Sequence, residues 1–194
     1  MMQRSFQIFP EHMPADLLMF ADNLRVYLSD HPEAEEIHDL FQRFLLSGPR
    51  VFERANASGH FTGSAWLVSA DGSKVLLMHH RKLGRWLQPG GHADGDKDLA
   101  RVALREAQEE TGVAGLSVDE AIFDIDRHRI PARAHEPEHW HYDVRHVVRA
   151  GVDETFVVNA ESHALAWRPV VEMAGDETLD ASLRRMARKW LARA

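Results

Sequence analysis

Glu106, Glu109 and Glu110 are spaced i, i+3, i+4 inside Asp98–Thr111, a segment with a helical pattern. On an α-helix they share one face. They occupy its last turns, where the negative end of the helix dipole disfavours each acid by about 0.3–1 kcal/mol. Mutual repulsion works in the same direction. Arg105 can offset part of this by pairing with Glu109 at i+4. A segment that opposes local electrostatics three times in five residues has a use for its acids. The use that fits is a hard divalent cation, shared between carboxylates and substrate phosphates. Two or more such ions can hold the attacking water and the leaving oxygen of a displacement at phosphorus. Gly90 and Gly91 lie just upstream and let backbone approach ligand or metal without a side chain in the way. The bland alternative is a solvated acidic face.

Other residues invite chemistry less sharply. His139, His141, Asp143 and Arg145 alternate, so on a strand they line one face while Trp140, Tyr142, Val144, His146 and Val148 line the other. Asp124, Asp126 and His128 form a similar polar row. Two facing polar rows in a buried sheet are costly unless they line a wet pocket. They are therefore expected to hold phosphates or base of a substrate, with an exposed hairpin face and a second metal site through His139 and His141 as alternatives. Arg81, Lys82 and Arg85 could meet phosphates and Trp86 could stack on a base. The alternative there is a solvated basic loop with Trp86 in the core. His135-Glu136-Pro137-Glu138-His139 has the letters of a zinc-peptidase helix, but Pro137 breaks the helix that motif requires. Arg184, Arg185, Arg188 and Lys189 read as a solvated face that complements its helix dipole.

The elements that must position these groups follow from periodicity. Leu17, Phe20, Ala21, Leu24 and Leu28 mark a first helix, with Pro14 near its start. Ile37, Leu40, Phe41, Phe44 and Leu45 mark a second, with Asp30 and Glu33 as its capping box and Gly48-Pro49 as its stop. This hairpin is expected to serve as a structural lid or a dimer contact. Phe61–Ser69 and Lys74–His80 read as strands joined at Asp71-Gly72. His79–Gly91 reads as a loop. Gly112 suits the left-handed cap of the acidic helix. Strands are expected near Leu116–Arg129, Trp140–Ala150, Thr155–Val158 and Ala164–Arg168. A last helix presents Leu179, Leu183, Met186 and Trp190. This order implies an α/β fold with a mixed sheet and helices against it.

The chain of 194 residues suffices for one compact domain with a small appendage. Its apolar fraction of 44% and charged fraction of 27% are ordinary for a globular protein. A net charge of −7 argues against nucleic acid or anionic membrane as partner. Thirteen histidines make charge sensitive to pH near 6. Cysteine is absent, which removes disulfides, thiolate zinc sites and cysteine nucleophiles and fits a cytoplasmic location. The longest apolar run, Leu17–Ala21, is far short of a membrane span. Arg4, Pro10, Glu11 and His12 leave no room for an apolar leader at the start.

The segment Gly91–Val113 resembles the box of the Nudix hydrolase family: a glycine, a spacer, then Arg105-Glu106-Ala107-Gln108-Glu109-Glu110-Thr111-Gly112-Val113. It departs once. The family has a glutamate where this chain has Lys97, flanked by Asp96 and Asp98, either of which could still cap the helix. The resemblance implies a Nudix-like α/β/α sandwich over residues 49–194, with residues 1–48 as a helical extension. It implies water-driven cleavage of a nucleoside diphosphate linked to another moiety. Glu106, Glu109 and Glu110 would bind Mg²⁺ or Mn²⁺, the Gly90 carbonyl being a further candidate ligand. Arg105 would orient Glu109, and the general base would be a box glutamate or one of Glu136, Glu138 and Glu161. ADP-ribose, dinucleotides, oxidised nucleoside triphosphates and nucleotide sugars share the required linkage. A non-catalytic nucleotide-sensing module is the alternative, disfavoured by three intact acids. Isomerisation of isoprenoid diphosphates, which resembling enzymes perform with a cysteine, is not available to this chain. A homodimer is left open.

Overall fold

The computed structural model describes residues 14–133 and 136–193. The stretch around Arg4 to His12 and His135 of the peptidase-like letters lie outside them. The elements are α1 (Ala15–Asp30), α2 (Glu35–Leu45), β1 (Gly59–Val68), β2 (Lys74–His80), β3 (Arg85–Leu87), β4 (Gly90–His92), α3 (Leu99–Thr111), β5 (Ser117–Ile130), β6 (His139–Arg149), β7 (Ser162–Pro169), α4 (Val170–Met173) and α5 (Ala181–Leu191). No helix among the described residues is long and apolar enough to cross a membrane.

The seven strands form one mixed sheet. β1 lies at its centre and runs parallel to β6 from the Gly59–Trp140 pair to the Val68–Arg149 pair. Every other pairing is antiparallel: β6 with β5, β1 with β2 and β4, and β2 with β3 and β7. All ten residues of β1 are buried, the apolar Ala65–Val68 end and the polar His60, Thr62 and Ser64 alike, as suits a central strand covered on both faces. On one face Ala65 and Leu67 pack with Ala103 and Ala107 of α3. On the other Trp66 and Val68 pack with Leu183 and Met186 of α5. The result is the expected α/β/α sandwich.

Three local expectations are corrected. Asp30 ends α1 and caps nothing; Pro32–Ala34 forms a 3₁₀ turn and α2 starts at Glu35 without a side-chain cap. Thr155–Val158 is not a strand. Val157 N–H donates to Thr111 O at 2.7 Å, and Phe156 packs beside Leu104 and Val113, so the segment docks on the end of α3 instead of on the sheet. The expected loop His79–Gly91 contains β3 and β4, whose pairing partners, β2 and β1, are supplied by the sheet.

The two N-terminal helices extend the α3 layer. Leu17, Phe20, Leu24, Phe41 and Phe44 share a core with Phe61, Val102, Tyr142 and Val144. Phe44 stacks on Tyr142 with centroids 3.9 Å apart and ring planes 1° from parallel. Phe20 and Phe41 meet Phe61 at 5.1 and 5.9 Å. Helices bound this way form a fixed wall of the core. Phe44→Ala, at a position 7% exposed, is expected to lower the free energy of unfolding by roughly 3–5 kcal/mol. Urea unfolding of the purified variant reads this directly.

Candidate active site

The acidic helix is positioned from both ends and from beneath. Asp98 caps α3 by accepting the Arg101 N–H at 3.0 Å, and Gly112 closes it at φ 67°. Beneath it, Gly63 of β1 has no side chain; a Cβ there would stand 2.8 Å from Leu99 O and 2.9 Å from Val102. The helix therefore lies close on β1 and its last turns rise over β4. A Cβ on Gly91 would stand 2.5 Å from the Glu106 carboxyl carbon. Gly90 N–H donates to Glu110 Oε2 at 2.9 Å. Arg105 Nη2 donates to His92 O at 3.1 Å and to Glu106 Oε1 at 2.9 Å. Arg105 thus orients Glu106, correcting the expected partnership with Glu109, because the His92 carbonyl draws its guanidinium toward β4. Glu109 is exposed, and its backbone carbonyl accepts Asn159 Nδ2 at 3.2 Å.

Burial raises the Glu110 carboxyl to about 8; the Gly90 N–H pulls the other way, and Glu106, Glu161 and Glu109 push further up. Glu106 is also raised by burial, with Arg105 opposing. Glu161 thus acts on two of the box acids, whereas Glu138 pairs with Arg129 and Glu136 approaches His139 at 3.9 Å. Of the three outside carboxylates, Glu161 is the one whose charge raises the box acids. Arg81 accompanies it: its N–H donates to Glu161 O at 2.9 Å and its Nη2 to Ser162 O at 3.0 Å. Arg85 turns elsewhere, 3.7 Å from Asp180. Trp86 packs against the core beneath α5, beside Trp66 and Leu183. Its half-buried position is that of the core alternative.

The facing polar rows exist in the expected register, Asp124 with Arg145, Asp126 with Asp143, His128 with His141. They do not line one wet pocket. Asp143 is 2% exposed. Its Oδ1 accepts Thr62 and Ser64 hydroxyls at 2.9 and 2.7 Å, and its Oδ2 accepts Arg145 Nε at 2.8 Å. The expectation that Asp143 meets substrate is corrected, since its oxygens are already engaged inside the protein. Arg145 continues to Asp124 and Asp126 at 3.2 and 3.1 Å. Arg185 and Lys189 of α5 reach Asp124 at 2.7 and 2.9 Å, so the basic face expected to be solvated is partly inserted. Burial alone would raise Asp124, but Arg145, Arg185 and Lys189 outweigh it and hold it below the carboxylate range. Asp126 is held low in the same way, by His128, Arg145 and Arg185 against burial. His139 and His141 gather with His60 and His92 beyond this network: His141 Nε2 lies 3.0 Å from His60 Nε2 and 3.2 Å from His139 Nε2.

An acidic helix seated on a glycine strand, within an α/β/α sandwich, defines the class of fold and site to which this chain conforms. The family model described as the NUDIX domain matches residues 60–191, and the chain belongs to the Nudix family. Among solved structures it is similar to an Ap4A hydrolase of C. elegans, with 17% identity, TM-score 0.54, and coverage of 69% of this chain and 96% of that one. A Nudix-family hydrolase of Clostridium perfringens gives 23%, 0.52, 69% and 97%. The MutT protein of Methanosarcina mazei gives 22%, 0.50, 69% and 93%. No curated protein matches the chain.

Two outcomes are expected. Gly91→Ala displaces the Glu106 carboxylate and lowers turnover on the order of 10²-fold, a typical effect of misplacing a catalytic group by an ångström; steady-state kinetics beside a circular dichroism spectrum measures it. Arg145→Leu leaves buried carboxylates unpaired and destabilises by roughly 3–5 kcal/mol at pH 7. The depressed pKa values of Asp124 and Asp126 give the sign. Their stabilising charge is present above the unfolded value near 3.8 and lost as pH falls below it. The deficit therefore narrows below about pH 4, which urea unfolding at pH 7 and pH 3.5 compares.

Proposed function

We propose that this chain hydrolyses a nucleoside diphosphate linked to another moiety, by attack of water on the pyrophosphate, with Mg²⁺ or Mn²⁺ as cofactor. The box fits such an ion. Its donors are carboxylate oxygens, the type hard dications take, and Gly91 leaves the Glu106 carboxylate room. The observation that carries the reading is Glu110, buried beside two further acids yet held by the Gly90 N–H. A carboxyl in that setting calls for a positive partner. Glu106, Glu109 and Glu110 would hold the cation, with the Gly90 carbonyl as a further ligand. When bound, the ion supplies Lewis-acid polarisation and neutralises developing phosphate charge.

The remaining roles fall to the chain itself. Arg105 is a positioning residue that fixes Glu106 from the His92 carbonyl. Glu161 would accept the proton of the attacking water, a role supported by its charge acting on Glu106 and Glu110. Arg81, fastened beside it, meets the charge of the departing phosphate. The partner is a small nucleotide, and the acidic balance of the chain disfavours nucleic acid.

A panel of ADP-ribose, dinucleoside polyphosphates, nucleotide sugars and nucleoside triphosphates, assayed with each ion, tests this reading. Glu109→Gln and Glu110→Gln should lose turnover at unchanged melting temperature, and Glu161→Gln should lose roughly 10²–10⁴-fold. A folded wild-type chain inert on every substrate with both ions would point to the nucleotide-sensing module. Proton release gives an independent check. With its carboxyl near 8, Glu110 is mostly protonated at pH 7, so cation uptake must release a proton and strengthen as pH rises toward 8. Calorimetry in buffers of different ionisation heat measures that release, which Glu110→Gln should abolish.

A further inference from the structure

We propose that His60, His92 and His141 form a second metal site, for a dication of the zinc class, on the sheet face opposite the acidic helix. One ring nitrogen from each lies within 4.8 Å of the other two. Among the described residues this is the one group of three metal-ligating side chains gathered that tightly. His60 Nε2 and His141 Nε2 are 3.0 Å apart. Two imidazole nitrogens on one tetrahedral zinc stand about 3.3 Å apart, from bonds of about 2.0–2.1 Å. That pair therefore already sits near coordination spacing, and the His92 nitrogen lies within 4.8 Å of both.

The three rings stand on adjacent strands β4, β1 and β6, paired as His60 with His141 and Thr62 with His92. Donors held by a sheet stay in place better than donors on loops. His139 adds a fourth candidate. Its Nδ1 lies 2.9 Å from the Pro137 carbonyl. A carbonyl only accepts, so Nδ1 carries the hydrogen and the Nε2 lone pair faces His141 Nε2 at 3.2 Å. That second bond to a carbonyl is how proteins orient metal-binding histidines.

The rings are also available. His60 is 1% exposed, and its Nδ1 has no hydrogen-bond partner among the described residues. Its Nε2 meets only another imidazole, so ordinary hydrogen bonding leaves this buried ring poorly served. An all-imidazole set suits zinc, copper or nickel and does not suit magnesium. His92 and His141 are half-buried, so an ion can enter.

Titration of the full chain with Co²⁺, in excess Mg²⁺, tests the proposal. Four-coordinate cobalt absorbs visible light strongly, whereas cobalt on carboxylates and water absorbs weakly. One equivalent should bind with intense bands, Zn²⁺ should displace it, and Zn²⁺ should raise the melting temperature. His92→Ala, at a half-buried position, should lose both signals. Glu109→Gln should keep them. Absence of intense bands in the wild type, their persistence in His92→Ala, or their loss in Glu109→Gln would overturn the proposal. None of these readouts depends on hydrolysis, so failure here leaves the pyrophosphatase reading intact.

Discussion

Close approach of α3 to the centre of the sheet is the constraint on which the site depends. Gly63 under the first turn and Gly91 under the last turns are both positions where a Cβ would meet helix atoms below 3.0 Å. Side chains at either place would lift the helix or turn Glu106 away. The small residues Ala103 and Ala107 complete the contact from the helix side. Glycine weakens a strand by roughly 0.5–1 kcal/mol relative to alanine. Here that cost is offset by pairing: β4 is fastened along Thr62–Ser64 of β1 and held from above by Arg105 and Glu110. Local destabilisation and site geometry are thus two consequences of one packing choice.

The opposite face solves a different problem. Asp143, Arg145, Asp124, Asp126, Arg185 and Lys189 form a continuous charge network between the sheet and α5. Such networks lose much of their Coulomb energy to desolvation, so their net stabilisation is small. Their geometry is demanding, however. Arg145 engages three carboxylates and Asp143 is shared with two hydroxyls of β1. A shift of α5 by one residue would leave several of these groups unpaired, which is strongly unfavourable in a buried setting. The network therefore specifies where α5 docks more than how tightly.

What could be read from the chain follows the range of the interactions. The acid spacing, the left-handed Gly112, the Asp98 cap and most strand positions are local signals, and the fold carries them out. The i, i+4 spacing of Arg105 and Glu109 does not decide their pairing, because His92 O, a tertiary partner, competes with the i+4 acid. Arg185 and Lys189 read as solvated because an i, i+4 basic pair looks the same whether it faces water or a buried aspartate. A tryptophan such as Trp86 likewise looks the same in sequence whether it packs in a core or faces a ligand. His60, His92 and His141 come together only through the parallel β1–β6 pairing and the short β4, long-range contacts with no local trace.

Lys97 shows how a departure from a family pattern can be physical rather than degenerative. Its ammonium lies 2.8 Å from Asp16 Oδ2 on α1. Acidic duties near the helix start are divided between neighbours: Asp98 caps α3 and Asp96 binds Arg101 at 2.9 and 2.6 Å. A glutamate at 97 would face Asp16 with like charge. The lysine therefore belongs with the N-terminal helices, whose aromatic residues already close the core over Phe61 and Tyr142. In a chain without those helices the substitution would have no partner; in this one it joins the added layer to the loop that leads into the acidic helix.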